Sequence, residues 1–392
     1  MFDNAKRKVY VLGAGASEGA GLPLMSNFLK QAEVLREKNK AYLFCWDDIP
    51  GKDSDRFVSF FTNYKWVKGS KIEKIDDGKT IKVSSKKKNL LLKLNDEKTK
   101  VNLKIDGGRP SEYIVKTENN KLNIYLMRQF DDVWKYLDAN KLKKHYNIEE
   151  ILGYLDMKIS INDSNSDEEN RIKYKLLEFI EEVIMLSYFY GDKKKVSNYS
   201  TLLKKFVENL RENDSIISFN YDVLIDKFLT DNEKYPDYGI DLKGYEKPSE
   251  FKKRIPLLKL HGSLNWRICH KCNKPRWIGN KHLLEMAGDD EKRNFVHEIF
   301  LKIRTPCPMH KKNIIEETFF VPPSWNKNDY LDSKILWKLA SEKLKIADEI
   351  IFIGYSLPQA DIYFKYLLLS SLPEKKFSVE VVDPNIENIA GR

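Results

Sequence analysis

The sequence predicts an α/β protein in which a doubly wound, six-stranded parallel sheet carries a β-hairpin insertion, a helical insertion and a small cysteine-bearing module. Three observations predict it. Six short runs, at residues 9–12, 216–219, 257–260, 319–321, 350–353 and 379–382, have the β-branched apolar composition of strands buried on both faces. Helical patterns at 223–229, 334–344 and 362–369 separate several of these runs. Glycines or polar residues follow most of the runs, at the carboxyl ends where sheets of this class bind ligands.

The first run follows Lys6-Arg7-Lys8 and faintly imitates a secretory leader. Its apolar stretch is too short and leads directly into glycines, which excludes that reading. The long gap before the second run must hold inserted structure. Residues 70–126 alternate in polarity and break at Asp76-Asp77-Gly78, Asn95-Asp96 and Asn119-Asn120, which predicts antiparallel hairpins. Lysines such as Lys86-Lys87-Lys88 blunt the exposed edges of such a sheet. From about 126 to 211 the period becomes helical: Phe130, Val133, Trp134 and Leu137 share one face, and Ile172, Leu176, Phe179 and Val183 another. These stripes serve packing. The division that follows is a core at 1–45 and 205–392, a β-rich insertion at 46–126, a helical insertion at 127–204 and a small module at 266–312. No internal repeat of fixed period interrupts it.

With 392 residues, 42% of them hydrophobic, the chain can bury a substantial core. No apolar stretch is long enough to span a bilayer. Four cysteines in a chain this long do not form a disulfide scaffold, and three of them have metal-ligand spacing, which implies a reducing compartment and a cytoplasmic protein. The formal charge of +10 favours acidic partners. Basic residues (68) are nevertheless interspersed with acidic ones (58), so direct nucleic-acid binding is not the primary expectation.

Five motifs carry chemistry. Gly13-Ala14-Gly15-Ala16-Ser17 follows the first strand and leads through Gly21-Leu22-Pro23 to a helix at about 25–35. Glycines there allow close approach of backbone to phosphate. Glu18 stands where a third glycine belongs in the dehydrogenase fingerprint, and no acidic strand end follows about 20 residues on, which argues against hydride transfer. Ser218-Phe219-Asn220-Tyr221-Asp222 and Lys259-Leu260-His261-Gly262-Ser263-Leu264-Asn265-Trp266 end two further strands. Gly354-Tyr355-Ser356-Leu357-Pro358, with Asp361, ends the fifth run, and Asp383-Pro384-Asn385 the last. Together these strand ends make a coherent nucleotide site.

Between the third and fourth motifs stand Cys269-x2-Cys272 and Cys307-x2-His310, two knuckle-like pairs that suit a tetrahedral structural zinc. His270 and His297 are alternative fourth ligands, and buried or surface thiols without metal are the other reading. Cys45 is read as a small hydrophobe.

In this order the motifs resemble the sirtuin superfamily and its Rossmann-like NAD-binding core, over about residues 8–30 and 215–392. Within it the chain looks most like bacterial sirtuin-like effectors of antiphage defence: residues 13–23, 220–222, 259–266, 322–325 (Pro-Pro-Ser-Trp) and 354–361 match their pattern. Protein deacetylases of the superfamily continue their glycine motif with Gly-Ile-Pro-Asp-Phe-Arg, where this chain has Gly21-Leu22-Pro23-Leu24-Met25-Ser26. Their peptide-groove Phe-Gly-Glu is replaced by Phe320-Val321-Pro322-Pro323.

The resemblance implies an NAD+ hydrolase that releases nicotinamide and ADP-ribose, with NAD+ as substrate and zinc as a structural metal. Asn220 would hold the ribose or the attacking water, His261 would act as general base, and Asp222 would orient Asn220 or the ribose. Gly13, Ala14, Gly15 and Ser17 would bind the pyrophosphate, with Gly354, Ser356 and Asp383 near the adenosine half. Asp383 replaces an Asn usual in deacetylases. The alternatives are an NAD-dependent protein deacylase and a non-catalytic NAD- or ADP-ribose-binding subunit of a DNA-associated complex. An NAD-depleting enzyme needs a gate, and the motifs use nearly the whole chain. A homo-oligomer, or a separate partner such as a HerA-type ATPase, is therefore expected to supply it, docking on residues 70–211, which the nucleotide site is expected not to need.

Overall fold

The computed structural model describes residues 6–38, 40–43, 71–75, 80–84, 89–94, 100–105, 111–118, 121–125, 130–144, 146–161, 167–190, 193–245, 253–269, 271, 275–277, 317–321, 331–358, 361–384 and 386. The chain opens with β1 (Lys8–Leu12), a single helical turn α1 (Gly15–Glu18), a 3₁₀ turn at Met25–Asn27 and α2 (Phe28–Lys38). Then come β2 (Lys40–Leu43), β3 (Lys71–Ile75), β4 (Thr80–Ser84), β5 (Asn89–Leu94), β6 (Lys100–Ile105), β7 (Ser111–Glu118) and β8 (Lys121–Tyr125). They form one seven-stranded antiparallel sheet, in the order β2-β8-β7-β6-β5-β4-β3. The expected breaks at 76–78, 95–96 and 119–120 separate β3 from β4, β5 from β6 and β7 from β8. Because β2 pairs with β8, with Lys40 opposite Tyr125, this sheet begins before residue 46, inside the segment assigned to the core.

Four helices follow: α3 (Phe130–Ala139), α4 (Ile148–Ile161), α5 (Asp167–Tyr190) and α6 (Lys193–Asn209). Both predicted stripes face inward. Phe130, Val133 and Leu137 are buried on α3, and Ile172, Leu176, Phe179 and Val183 on α5, in one core shared with Phe28 and Leu35 of α2. Helix α4 starts with a capping box: the Asn147 side chain accepts from the backbone N–H groups of Glu149 (2.9 Å) and Glu150 (3.0 Å), and the Glu150 carboxylate accepts from the Asn147 N–H (2.8 Å).

The rest of the chain comprises β9 (Ser215–Ser218), α7 (Leu224–Asp231), β10 (Lys234–Asp237), β11 (Lys253–Lys259), β12 (Gly262–Ile268), β13 (Pro275–Trp277), β14 (Glu317–Phe320), α8 (Leu331–Lys345), β15 (Glu349–Ile353), α9 (Ile362–Ser371) and β16 (Ser378–Val382). The predicted six-stranded parallel sheet is present, in the order β10-β11-β9-β1-β15-β16, with every pairing parallel. Five of its strands are the runs read from the sequence. The run at 319–321 is not among them: β14 pairs antiparallel with β12 in a separate three-stranded sheet, β13-β12-β14. It reads as a core strand because Phe319 and Phe320 are buried in different cores, which gives continuous apolarity without a place in the parallel sheet.

The sixth strand is instead β10, whose sequence Lys-Tyr-Pro-Asp conceals it. As an edge strand it tolerates Pro236. Its Lys234 is buried because the ammonium donates to the carbonyls of Val207, Glu208 (3.1 Å) and Leu210 (3.0 Å), groups left over at the end of α6. Burial lowers the pKa of Lys234. Among the described residues no helix is long and apolar enough to cross a membrane.

Candidate functional site

From β1 the chain goes first to β9 and its neighbours on one side, and returns much later to β15 on the other. The strand order therefore reverses at β1, and the crevice beyond the carboxyl ends of β1 and β15 is where doubly wound sheets place ligands. Two glycine turns meet there. The Gly15 N–H donates to the Gly354 carbonyl (2.9 Å), the Gly13 N–H to Ile353 (3.1 Å) and the Gly354 N–H to Val382 (3.0 Å), so the ends of three neighbouring strands are tied together. Gly354 has φ +57°, and a Cβ on it would lie 2.3 Å from the Ala16 nitrogen; a Cβ on Gly13 would lie 2.6 Å from the Gly354 carbonyl oxygen. These glycines are thus required by the approach of two backbones to each other, before any phosphate is considered. Gly354→Ala is expected to destabilise the protein by more than about 1 kcal/mol, because neither backbone can yield and φ stays positive. A thermal melt unchanged from wild type would show that the two turns are not locked.

The loop after β9 is joined to the glycine loop by side chains. The Asn220 amide donates to the Gly13 carbonyl (2.8 Å) and to the Ser17 hydroxyl oxygen (3.0 Å). Ser17 in turn donates to Asp222 Oδ2 (2.7 Å), and Asp222 Oδ1 accepts from the Leu224 N–H (3.0 Å) at the start of α7. Asn220 thereby uses both amide hydrogens inward, and what it can offer a ligand is its acceptor, Oδ1. Ser17 is buried and acts as the latch between Asn220 and Asp222. Burial raises the pKa of Asp222, against the opposing pull of Lys259 and the Ser17 hydroxyl.

His261 lies in the tight turn between β11 and β12. Its backbone is held on three sides: Leu260 N–H donates to Ser218 (3.0 Å), Val321 N–H donates to the His261 carbonyl (2.8 Å), and Gly262 follows at φ +82°. A Cβ on Gly262 would meet the Phe319 carbonyl oxygen at 1.9 Å, so the turn is specific to glycine. The imidazole packs edge-on against Phe219, with ring centroids 5.0 Å apart, and its Nε2 is 3.6 Å from Asp361 Oδ1. Beneath this floor runs a polar network. Lys259 donates to the Asp222 carbonyl and pairs with Asp226 Oδ2 at 3.1 Å, while Asp226 Oδ1 accepts from Tyr238 (2.5 Å) and from Asn265 (3.4 Å). All four of these side chains are buried. The alternation Lys259, His261, Ser263, Asn265 along one motif was the available signal for this network.

These elements enclose a cleft of about 850 Å³, within the usual range for small-molecule sites. Every residue assigned from sequence to catalysis or nucleotide binding lines it: Gly13, Ala14, Gly15, Ser17, Asn220, Asp222, His261, Gly354, Ser356 and Asp383. The opposite wall corrects an expectation. Asn147, Glu149 and Glu150 at the start of α4, and Ile184 of α5, also line the cleft, so the helical insertion forms part of its wall. The insertion is further fastened by a buried ion pair, Arg267 to Glu181 at 2.8 Å. Of the expected zinc ligands, Cys269 is buried just after β12. Cys272, Cys307 and His310 lie outside the described residues, as do His270, His297, Cys45, Asn385 and the segment 322–325. No protein-family model matches the sequence, and no curated protein matches it.

Proposed function

We propose that this chain is an NAD+ hydrolase of sirtuin type that cleaves NAD+ to nicotinamide and ADP-ribose, acting in antiphage defence by depleting NAD+. The observation that carries this reading is the meeting of the glycine loops, Asn220 and His261 in one cleft at the reversal of strand order. The pyrophosphate would lie over residues 13–15, with Ser356 and Asp383 toward the adenosine half. Asn220 Oδ1 accepts a hydrogen bond from the ribose or from the attacking water. His261 takes a proton from that water as the water oxygen bonds to the anomeric carbon. The electron pair of the carbon–nitrogen bond leaves with nicotinamide, and the proton passes from His261 to solvent. Positive charge builds up on the ribose during departure, and fixed polar groups stabilise it. Incubating the purified protein with NAD+ should yield nicotinamide and ADP-ribose in equal amounts by chromatography. Intact NAD+ after prolonged incubation with the assembled protein would sink the reading.

The reading includes a structural zinc held by Cys269, Cys272, Cys307 and His310. Cys269, buried at the end of a strand, suits a closed thiolate site. Zinc there would clamp the module and leave the chemistry to the cleft. One zinc per chain is expected by metal analysis, falling sharply in Cys269→Ser; a zinc-free wild-type protein would refute it.

The reading includes assembly, as a homo-oligomer or with a partner such as a HerA-type ATPase, expected on residues 70–211; exposed Ile362, Tyr366 and Leu369 on α9 and Val379 on the edge strand β16 offer a second apolar surface for it. Activity per chain should then change with protein concentration or partner. A rate per chain that is constant across dilution and indifferent to neighbours argues against a gate of this kind.

A further inference from the structure

Asp361 occupies the N-cap of α9, a position where an aspartate ordinarily accepts from the first backbone amides of its helix. Here the side chain makes no capping bond. Oδ2 instead accepts from the Tyr355 phenol at 2.6 Å, and Oδ1 faces His261 Nε2 at 3.6 Å. Both the carboxylate and the imidazole are almost fully buried, at 2% and 3% exposure. The Tyr355 ring is itself fixed by stacking on Phe219, with centroids 4.4 Å apart, and Phe219 also packs edge-on against His261. Helix capping has thus been given up in favour of a carboxylate held beside the histidine on the cleft floor.

We propose that Asp361 is the positioning residue for His261. Clamped by Tyr355, its carboxylate fixes the orientation of the imidazole, keeps the proton of the neutral ring on Nε2, and stabilises the imidazolium formed when His261 takes a second proton. At 3.6 Å the contact is electrostatic, and it shortens to a charge-assisted hydrogen bond once the ring is charged. Asp361 acts through His261 and touches no reacting atom. This inference rests on the assignment of His261 as the base in NAD+ cleavage.

Two measurements test it separately from that assignment. The first needs no substrate: nitrogen–proton NMR of the His261 ring in wild type, Asp361→Asn and Glu149→Gln. Other titratable groups lining the cleft are Glu18, Glu149, Glu150, Tyr221, Asp222 and Asp383. Glu149→Gln therefore serves as the control for removing a charge from the same space. Asp361→Asn is expected to lower the protonation midpoint of His261 by about one pH unit or more and to abolish the preference for Nε2–H, whereas Glu149→Gln shifts it less. An unchanged midpoint and tautomer in Asp361→Asn overturns the proposal. The second is kinetic: Asp361→Asn should lower kcat by about 10–100-fold with KM little changed, and Tyr355→Phe should lower it by less. A loss confined to KM, or full activity in Asp361→Asn, marks a merely structural residue and overturns the proposal. If the wild type releases no nicotinamide, the functional reading falls, while the NMR result still decides what Asp361 does to His261.

Discussion

His261→Ala should release nicotinamide about 10²–10⁴-fold more slowly than wild type, the usual loss on removing a positioned base, while still folding, with a melting temperature lowered by the space the buried ring vacates. The fold should survive because the His261 backbone, not its ring, carries the contacts that close the turn: its carbonyl accepts from Val321, and the adjoining Leu260 N–H reaches Ser218. Asn220→Ala should lose activity to a similar degree, with one difference. Asn220 also ties the loop after β9 to Gly13 and Ser17, so its removal loosens the latch and should weaken nucleotide binding as well as turnover. A folded His261→Ala protein of near-normal activity would remove the histidine from the mechanism.

The largest effect on stability is expected at Lys259. Its ammonium and the Asp226 carboxylate form an ion pair buried to 1% and 0% exposure. Lys259→Met leaves Asp226 charged and buried, and also strips the Asp222 carbonyl of its donor. Breaking one side of such a pair costs about 3–5 kcal/mol. The Lys259→Met/Asp226→Asn double variant should recover part of that loss, because the uncompensated charge is gone while Tyr238 and Asn265 can still bond to the amide. Urea unfolding reads both. A Lys259→Met loss below about 1 kcal/mol would mean that water reaches the pair.

The sheet was legible where burial enforces apolarity, as in β1, β9, β11 and β15, while the exposed edge strand β16 was legible from its β-branched valines alone. It was illegible where another interaction replaced apolarity. β10 buries a lysine because the last carbonyls of α6 accept from it, and no pattern within Lys-Tyr-Pro-Asp announces that partner. β14 misleads in the opposite direction, since a strand between two cores is apolar whatever sheet it joins. The candidate site was legible because strand ends of a doubly wound sheet converge by topology, so motifs at residues 13, 220, 261 and 354 could be placed together without knowing a single contact. What could not be read was the purpose of each group. Glycines attributed to a phosphate are needed by each other, Ser17 is turned toward Asp222, and Asp361 is turned away from its own helix. The wall formed by Asn147, Glu149 and Glu150 depends on how a helical insertion packs, which the local period does not encode.

The lock between the first glycine turn and Gly354 also sets a timetable. β1 is one of the two central strands of its sheet, yet its neighbours are β9 and β15, and the turn at Gly13–Gly15 rests on backbone made more than three hundred residues later. At about 5–20 residues per second, a ribosome needs on the order of 20–70 s to supply that support. Until then the nascent chain carries Asn220 and His261 but has no closed cleft in which to use them. Stalled or truncated chains ending before β15 should neither bind nor cleave nucleotide, a point that a release assay on ribosome-bound chains of graded length can check. Strand order thus delays completion of the cleft until β15 has been made, well after Asn220 and His261.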